Sequence, residues 1–238
     1  MIDYLYNPEF WTWRWEVRYL AAQSWVLPLL AALLTRHYHS TVHRRIILFV
    51  SYTLIMEHIT WDADLKYLIS ADTNVSWYHL LLPPLYLLMT RFFADYLKSS
   101  KYYWLPWALP VAFTLLVVLN ALWGDGFWGF PGKVVGLYSL TGIILCIGYF
   151  IHTLQALTVP RLELQPMFWI SAGLLIYFAS NLLLWVGMSF IRYDAEFFSS
   201  VYRINGAVTI LLNLFFTIAI YLKTMPNDQV SVHPTPQR

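Results

Sequence analysis

The sequence predicts an all-α integral membrane protein, a seven-transmembrane-helix bundle with its N-terminus outside and its C-terminus inside. Three observations lead there. Of the 238 residues, 59% are hydrophobic and only 12% charged, whereas a soluble domain carries about 25% charge. Seven apolar stretches follow one another, each near the roughly twenty residues that a helix needs to cross a hydrocarbon core. Lys and Arg divide nine to one side of these stretches and six to the other, and the richer side is cytoplasmic by the positive-inside rule.

Residues 1–18 form an interfacial N-terminal segment. Within FWTWRWEVRYL (10–20), Trp11, Trp13 and Trp15 alternate with Arg14, Glu16 and Arg18, a mixture of indole and charge suited to headgroup level. The opening residues have no basic region and no small-residue cleavage site, so no signal peptide is expected. The membrane domain covers 19–223, with spans at 19–35, 46–63, 76–97, 103–123, 134–157, 167–190 and 201–223. RHYHSTVHRR (36–45) is too polar to lie in lipid. Gly124, Gly126, Gly129, Pro131 and Gly132 make a turn-rich loop, and Pro160 and Pro166 bracket another. Pro83 and Pro84 lie inside the third span, which a membrane bundle tolerates when neighbours satisfy the freed carbonyls. The tail, 224–238, is polar with three prolines and is expected to be disordered in the cytoplasm.

Three spans carry polar residues at helical spacing. Thr53, Glu57, Thr60 and Asp64 share one face of the second. Gly173, Tyr177, Asn181, Trp185 and Ser189 share one of the sixth, and Asn205, Thr209, Asn213 and Thr217 one of the seventh. Such faces turn inward in lipid, either as interhelical hydrogen bonds or as the wall of a site. Glu57 stands apart, because a carboxylate at that depth is costly and is a functional-site hypothesis by default. The candidate ligand-binding residues are Glu57, His58, Trp61, His79, Asn181, Trp185, Arg203 and Asn205, all in the outer half of the predicted bundle. Arg203 is the expected partner of Glu57. The pair reads as a structural lock, as a ligand or proton site, or as a catalytic group; the sequence leaves the three open.

No catalytic residues, metal ligands or cofactor are assigned. His58, Asp62 and His79 lack a recognised zinc spacing. His37, His39 and His43 beside Arg44 and Arg45 read as a basic loop at the anionic headgroup surface. The single cysteine, Cys146, excludes an intrachain disulfide. Every lysine falls in a loop or at a span end, which excludes a mid-membrane Schiff base. No GxSxG, P-loop or GxGxxG is present. A net charge of +2 gives no support to nucleic-acid binding.

PMFWISAGLLIYFASNLLLW (166–185) resembles a segment of uncharacterised bacterial seven-transmembrane-helix proteins. Those proteins are similar to the membrane input modules of sensor histidine kinases. The resemblance implies a sensory or regulatory role in a bacterial inner membrane, with a sensor histidine kinase or other signalling protein as partner beside membrane lipid. It implies no site residues. The expected function is a receptor-like module that binds a small ligand, or senses lipid, in an outward-facing cavity. A small transporter or channel subunit is the first alternative, and a membrane-embedded lipid hydrolase using Glu57, His58 and His79 the second.

Overall fold

The computed structural model describes residues 17, 19–35, 40–61, 75–98, 101–127, 131–156, 161–190 and 195–222. The N-terminal segment apart from Val17, and His37, His39, Asp62, Asp64 and the tail, lie outside them. Among the described residues there is no strand. The helices are α1 (Tyr19–Leu34), α2 (Thr41–Trp61), α3 (Val75–Phe92), α4 (Leu105–Trp123), α5 (Gly132–Ala156), α6 (Pro166–Phe190) and α7 (Ala195–Tyr221), with one further turn at Ala94–Leu97. Each predicted span falls on one of these helices.

Four of the helices are long and apolar enough to cross a membrane: α4, and the stretches Gly132–Gln155 of α5, Pro166–Leu184 of α6 and Arg203–Tyr221 of α7. Their outer surfaces carry Leu122, Ile144 and Leu183, which are 64%, 60% and 76% exposed. An apolar belt of this kind is stable against lipid and a liability in water. The chain is therefore an all-helical membrane protein. α1 is shorter, and α2 and α3 dilute their apolar runs with groups such as Arg44, Arg45, Glu57, His79 and Arg91.

The packing order is a ring. α1 touches α2, α2 touches α3, α3 touches α5, α5 touches α6, α6 touches α7, and α7 returns to α1. α4 stands outside, held mainly by α3, with 22% of its apolar stretch buried against 44% for α5. Small residues set the closest approaches, as expected where lipid offers no hydrophobic drive and packing must hold the helices together. A Cβ on Gly142 of α5 would overlap the Phe178 ring of α6, and one on Gly173 of α6 would come within 2.8 Å of Phe215 of α7. The helix of α3 runs through Pro83 and Pro84 unbroken.

One half of the ring is filled. Trp25, Phe49, Phe92 and Phe216, from α1, α2, α3 and α7, form a plug with ring centroids 5.4–6.5 Å apart. Beyond it, His43 staples the start of α2 to the end of α7. Its Nδ1 accepts from the Ser40 amide at 3.2 Å and the Ser40 hydroxyl at 2.8 Å. Because an amide can only donate, Nε2 carries the proton, and it donates to the Leu222 carbonyl at 3.1 Å. Arg45 reaches both Asp95 oxygens, at 2.6 and 3.1 Å, and the Arg91 guanidinium lies 3.2 Å over the Trp107 ring. These contacts tie together the end that holds the α1–α2 and α3–α4 connections.

Candidate functional site

The other half of the ring is hollow. A cavity of about 160 Å³ lies between five helices. α2 supplies Tyr52, Thr53, Met56 and Glu57; α3 supplies Tyr78 and a leucine ledge at Leu81, Leu82 and Leu85. α5 adds Val135, Tyr138 and Ser139, α6 adds Tyr177 and Asn181, and α7 adds Asn205 and Thr209. The inward steps of four on α2, α6 and α7 thus meet in one space. An apolar void of comparable size stays dry and holds a benzene-sized molecule, whereas a polar one admits water.

The polar wall is partly pre-ordered. Asn205 Nδ2 donates to Asn181 Oδ1 and Thr209 Oγ1 to Asn205 Oδ1, both at 3.3 Å. Asn181 Nδ2 also donates to the Tyr177 carbonyl at 2.9 Å. The Tyr52 hydroxyl donates to the Leu81 carbonyl at 3.1 Å, locking α2 to α3 beside the proline pair. Tyr138 is held from behind by Phe178, edge to face at 5.0 Å and 87°. Ser139 is 1% exposed, and its hydroxyl has no hydrogen-bond partner among the described residues. Glu57 is the only charged residue among the described lining residues, and it lies within electrostatic reach of the Tyr177 phenol.

Of the candidates from the sequence, Glu57, Asn181 and Asn205 come together here. The others do not. Arg203 is exposed and forms no ion pair with Glu57 among the described residues. It precedes the lining residue Asn205 by two positions, about 200° around the helix, and so faces the opposite side. The expected Glu57–Arg203 pair is corrected accordingly. His58 is one position, about 100°, past Glu57. It is exposed: its Nδ1 donates to the Leu54 carbonyl at 2.8 Å, and its Nε2 faces Gln23 of α1 at 3.5 Å. His79 is buried beside Phe127, with ring centroids 5.6 Å apart and both ring nitrogens lacking a partner among the described residues. It is not in the cavity lining. The side chains of Trp61 and Trp185 lie outside the described residues. Tyr52, Tyr78 and Ser139 belong to the lining and were not selected from sequence. In an apolar helix a tyrosine reads equally as belt and as core, and a lone serine as ordinary helix glue.

One alternative weighed from sequence loses its geometry. Glu57, His58 and His79 face three different surroundings, so they do not form an acid–base group. Among the described residues no three of His, Cys, Asp or Glu gather as metal ligands. A polar path out of the cavity toward the other end is not continued either. His152 and Gln155 are exposed. Thr217 bonds the carbonyl of Asn213 in its own helix, and Asn213 donates to Ser24 Oγ of α1 at 2.7 Å. No protein-family model, curated protein or solved structure matches the chain.

Proposed function

We propose that the chain is a receptor-like sensor of the bacterial inner membrane. In this reading α1, α2 and α3 cross the bilayer with the other four helices, the N-terminus lies outside, and the cavity faces outward. A small ligand enters between α2, α3, α5, α6 and α7 and shifts their packing. The shift is read at the opposite end by a signalling protein such as a sensor histidine kinase. The observation that carries the reading is a polar cavity shared by five helices and backed by an aromatic plug. A cavity stopped by packed rings transmits helix movement and conducts nothing, which favours a sensor over a transporter or channel.

The test needs no ligand. In a Cys146→Ala background, Thr53→Cys, at a half-buried lining position, is modified with a small methanethiosulfonate so that the cavity holds a permanent occupant. Hydrogen exchange of the full chain in nanodiscs is then compared with and without the occupant. The sensor reading expects altered exchange at the far end, in Thr41–Arg45 and in the last turns of α7. Changes confined to the cavity wall would contradict it, and solute flux in proteoliposomes would replace it with the transporter.

A further inference from the structure

We infer that the cavity takes a small organic ammonium cation with Glu57 as its counter-ion, an inference that rests on the ligand-site reading above. Charge is the first argument. The described lining contains one carboxylate and no cationic side chain, and a carboxylate in a wall favours a positive ligand over an anionic one. A carboxylate inside a bundle is stabilised most by a positive group that shares its desolvated space.

The shape of the wall supplies the second argument. Tyr52, Tyr78, Tyr138 and Tyr177 come from four different helices and surround the same space as Glu57. Aromatic rings attract ammonium groups through their negative faces, and clustered rings recognise alkylated ammonium in particular. Two of the rings are fixed by neighbouring helices, Tyr52 through its hydroxyl bond to the Leu81 carbonyl and Tyr138 through the edge of Phe178. Met56 and the leucine ledge of α3 suit methyl groups rather than a hydrated ion.

Size and hydrogen bonding complete the description. A volume of about 160 Å³ admits a group near the size of benzene, which matches a small alkylated ammonium. The buried Ser139 hydroxyl, without a partner among the described residues, offers a bond to a short polar arm. A bare divalent metal fits poorly, because such ions gather about six or more oxygen ligands and the described wall has one carboxylate among tyrosine rings and leucines.

The experiment is a thermal-shift titration of the full chain in nanodiscs with three probes: choline chloride, its uncharged carbon isostere 3,3-dimethylbutan-1-ol, and sodium chloride at matched ionic strength. Choline should stabilise saturably, with a half-saturation at least tenfold lower than the isostere, and sodium should be silent. In Glu57→Gln choline should weaken to the level of the isostere. Should that variant fail to fold, Tyr177→Leu against Tyr177→Phe decides, because only loss of the ring should weaken choline several-fold. Equal stabilisation by choline and the isostere would overturn the ammonium inference and leave the cavity a ligand site. So would stabilisation by sodium equal to that by choline. No stabilisation by any probe also overturns it, and reagent access to Thr53→Cys then tells whether the ligand-site reading falls with it.

Discussion

Replacing Phe216 by alanine tests the plug, which stops the cavity from becoming a path. Phe216 is fully buried, with Trp25, Phe49 and Phe92 around it at centroid distances of 6.5, 5.7 and 6.1 Å. A buried Phe→Ala change in a water-soluble core costs about 3–5 kcal/mol, part of it transfer and part the void left behind. Lipid tails are as apolar as the ring, so the transfer part largely vanishes here and the lost packing remains, roughly 2 kcal/mol. Phe216→Leu, which refills part of the void, should cost about half as much. Leu183→Ala on the lipid face, at a residue 76% exposed, should stay within about 0.5 kcal/mol. Denaturant titration in mixed micelles measures all three. The same Phe216→Ala protein in proteoliposomes should leak small cations where the wild type does not. If Phe216→Ala were as mild as Leu183→Ala and the vesicles stayed tight, the rings would not form a packed stopper, and the argument for a sensor over a transporter would fail.

Other consequences can be measured in the same preparations. Gly142→Ala should push Phe178 and with it Tyr138 toward the cavity, costing about 1–3 kcal/mol as overpacking does; Phe178→Leu in the same chain should recover most of it, and a double-mutant cycle reads the coupling. His43→Ala removes both the bond to Leu222 and the cap on α2. It should cost about 1–2 kcal/mol and speed hydrogen exchange in the last turn of α7, leaving exchange around Glu57 unchanged. Arg45→Ala breaks a bidentate pair whose Asp95 side chain is 59% exposed; an ion pair that open to solvent should contribute less than about 1 kcal/mol by thermal melt. At Thr53→Cys a trimethylammonium methanethiosulfonate should outpace a sulfonate one about tenfold more than it does at Lys101→Cys on the surface. Glu57 is one helical turn away, roughly 6 Å; in a water-like dielectric of about 80 its charge helps one reagent and hinders the other by about 0.7 kcal/mol each, and Glu57→Gln should abolish the difference.

Helix positions were legible in the sequence because apolar runs and their interruptions are averages over many residues. The Gly-rich loop before Gly132 and the polar stretch ending at Arg45 mark boundaries to within a few residues of the helices observed. The site was legible only where polarity repeats. Thr53 and Glu57, Tyr177 and Asn181, and Asn205 and Thr209 each recur at four, and all six line the cavity. Single residues were not, because placing one requires knowing how its helix is rotated, and one position is about 100° of rotation. Glu57 and His58 are neighbours in sequence, yet one faces the cavity and the other α1. Arg203 was read with Asn205 and lies on the other side of the same helix. Tyr52, Tyr78 and Ser139 belong to no stripe; their role comes from the ring order of the helices, which no single helix encodes.

The most direct test of the cavity as an outward-facing ligand site is thiol modification at Thr53→Cys, a half-buried lining position, in sealed right-side-out vesicles. Cys146, the native thiol, is buried at 0% exposure and serves as the internal control. A small membrane-impermeant reagent added outside should modify Thr53→Cys while sparing Cys146, and the plug should protect the same position from reagent trapped inside. Modification only from the inside, or only after the bilayer is dissolved, would contradict the account.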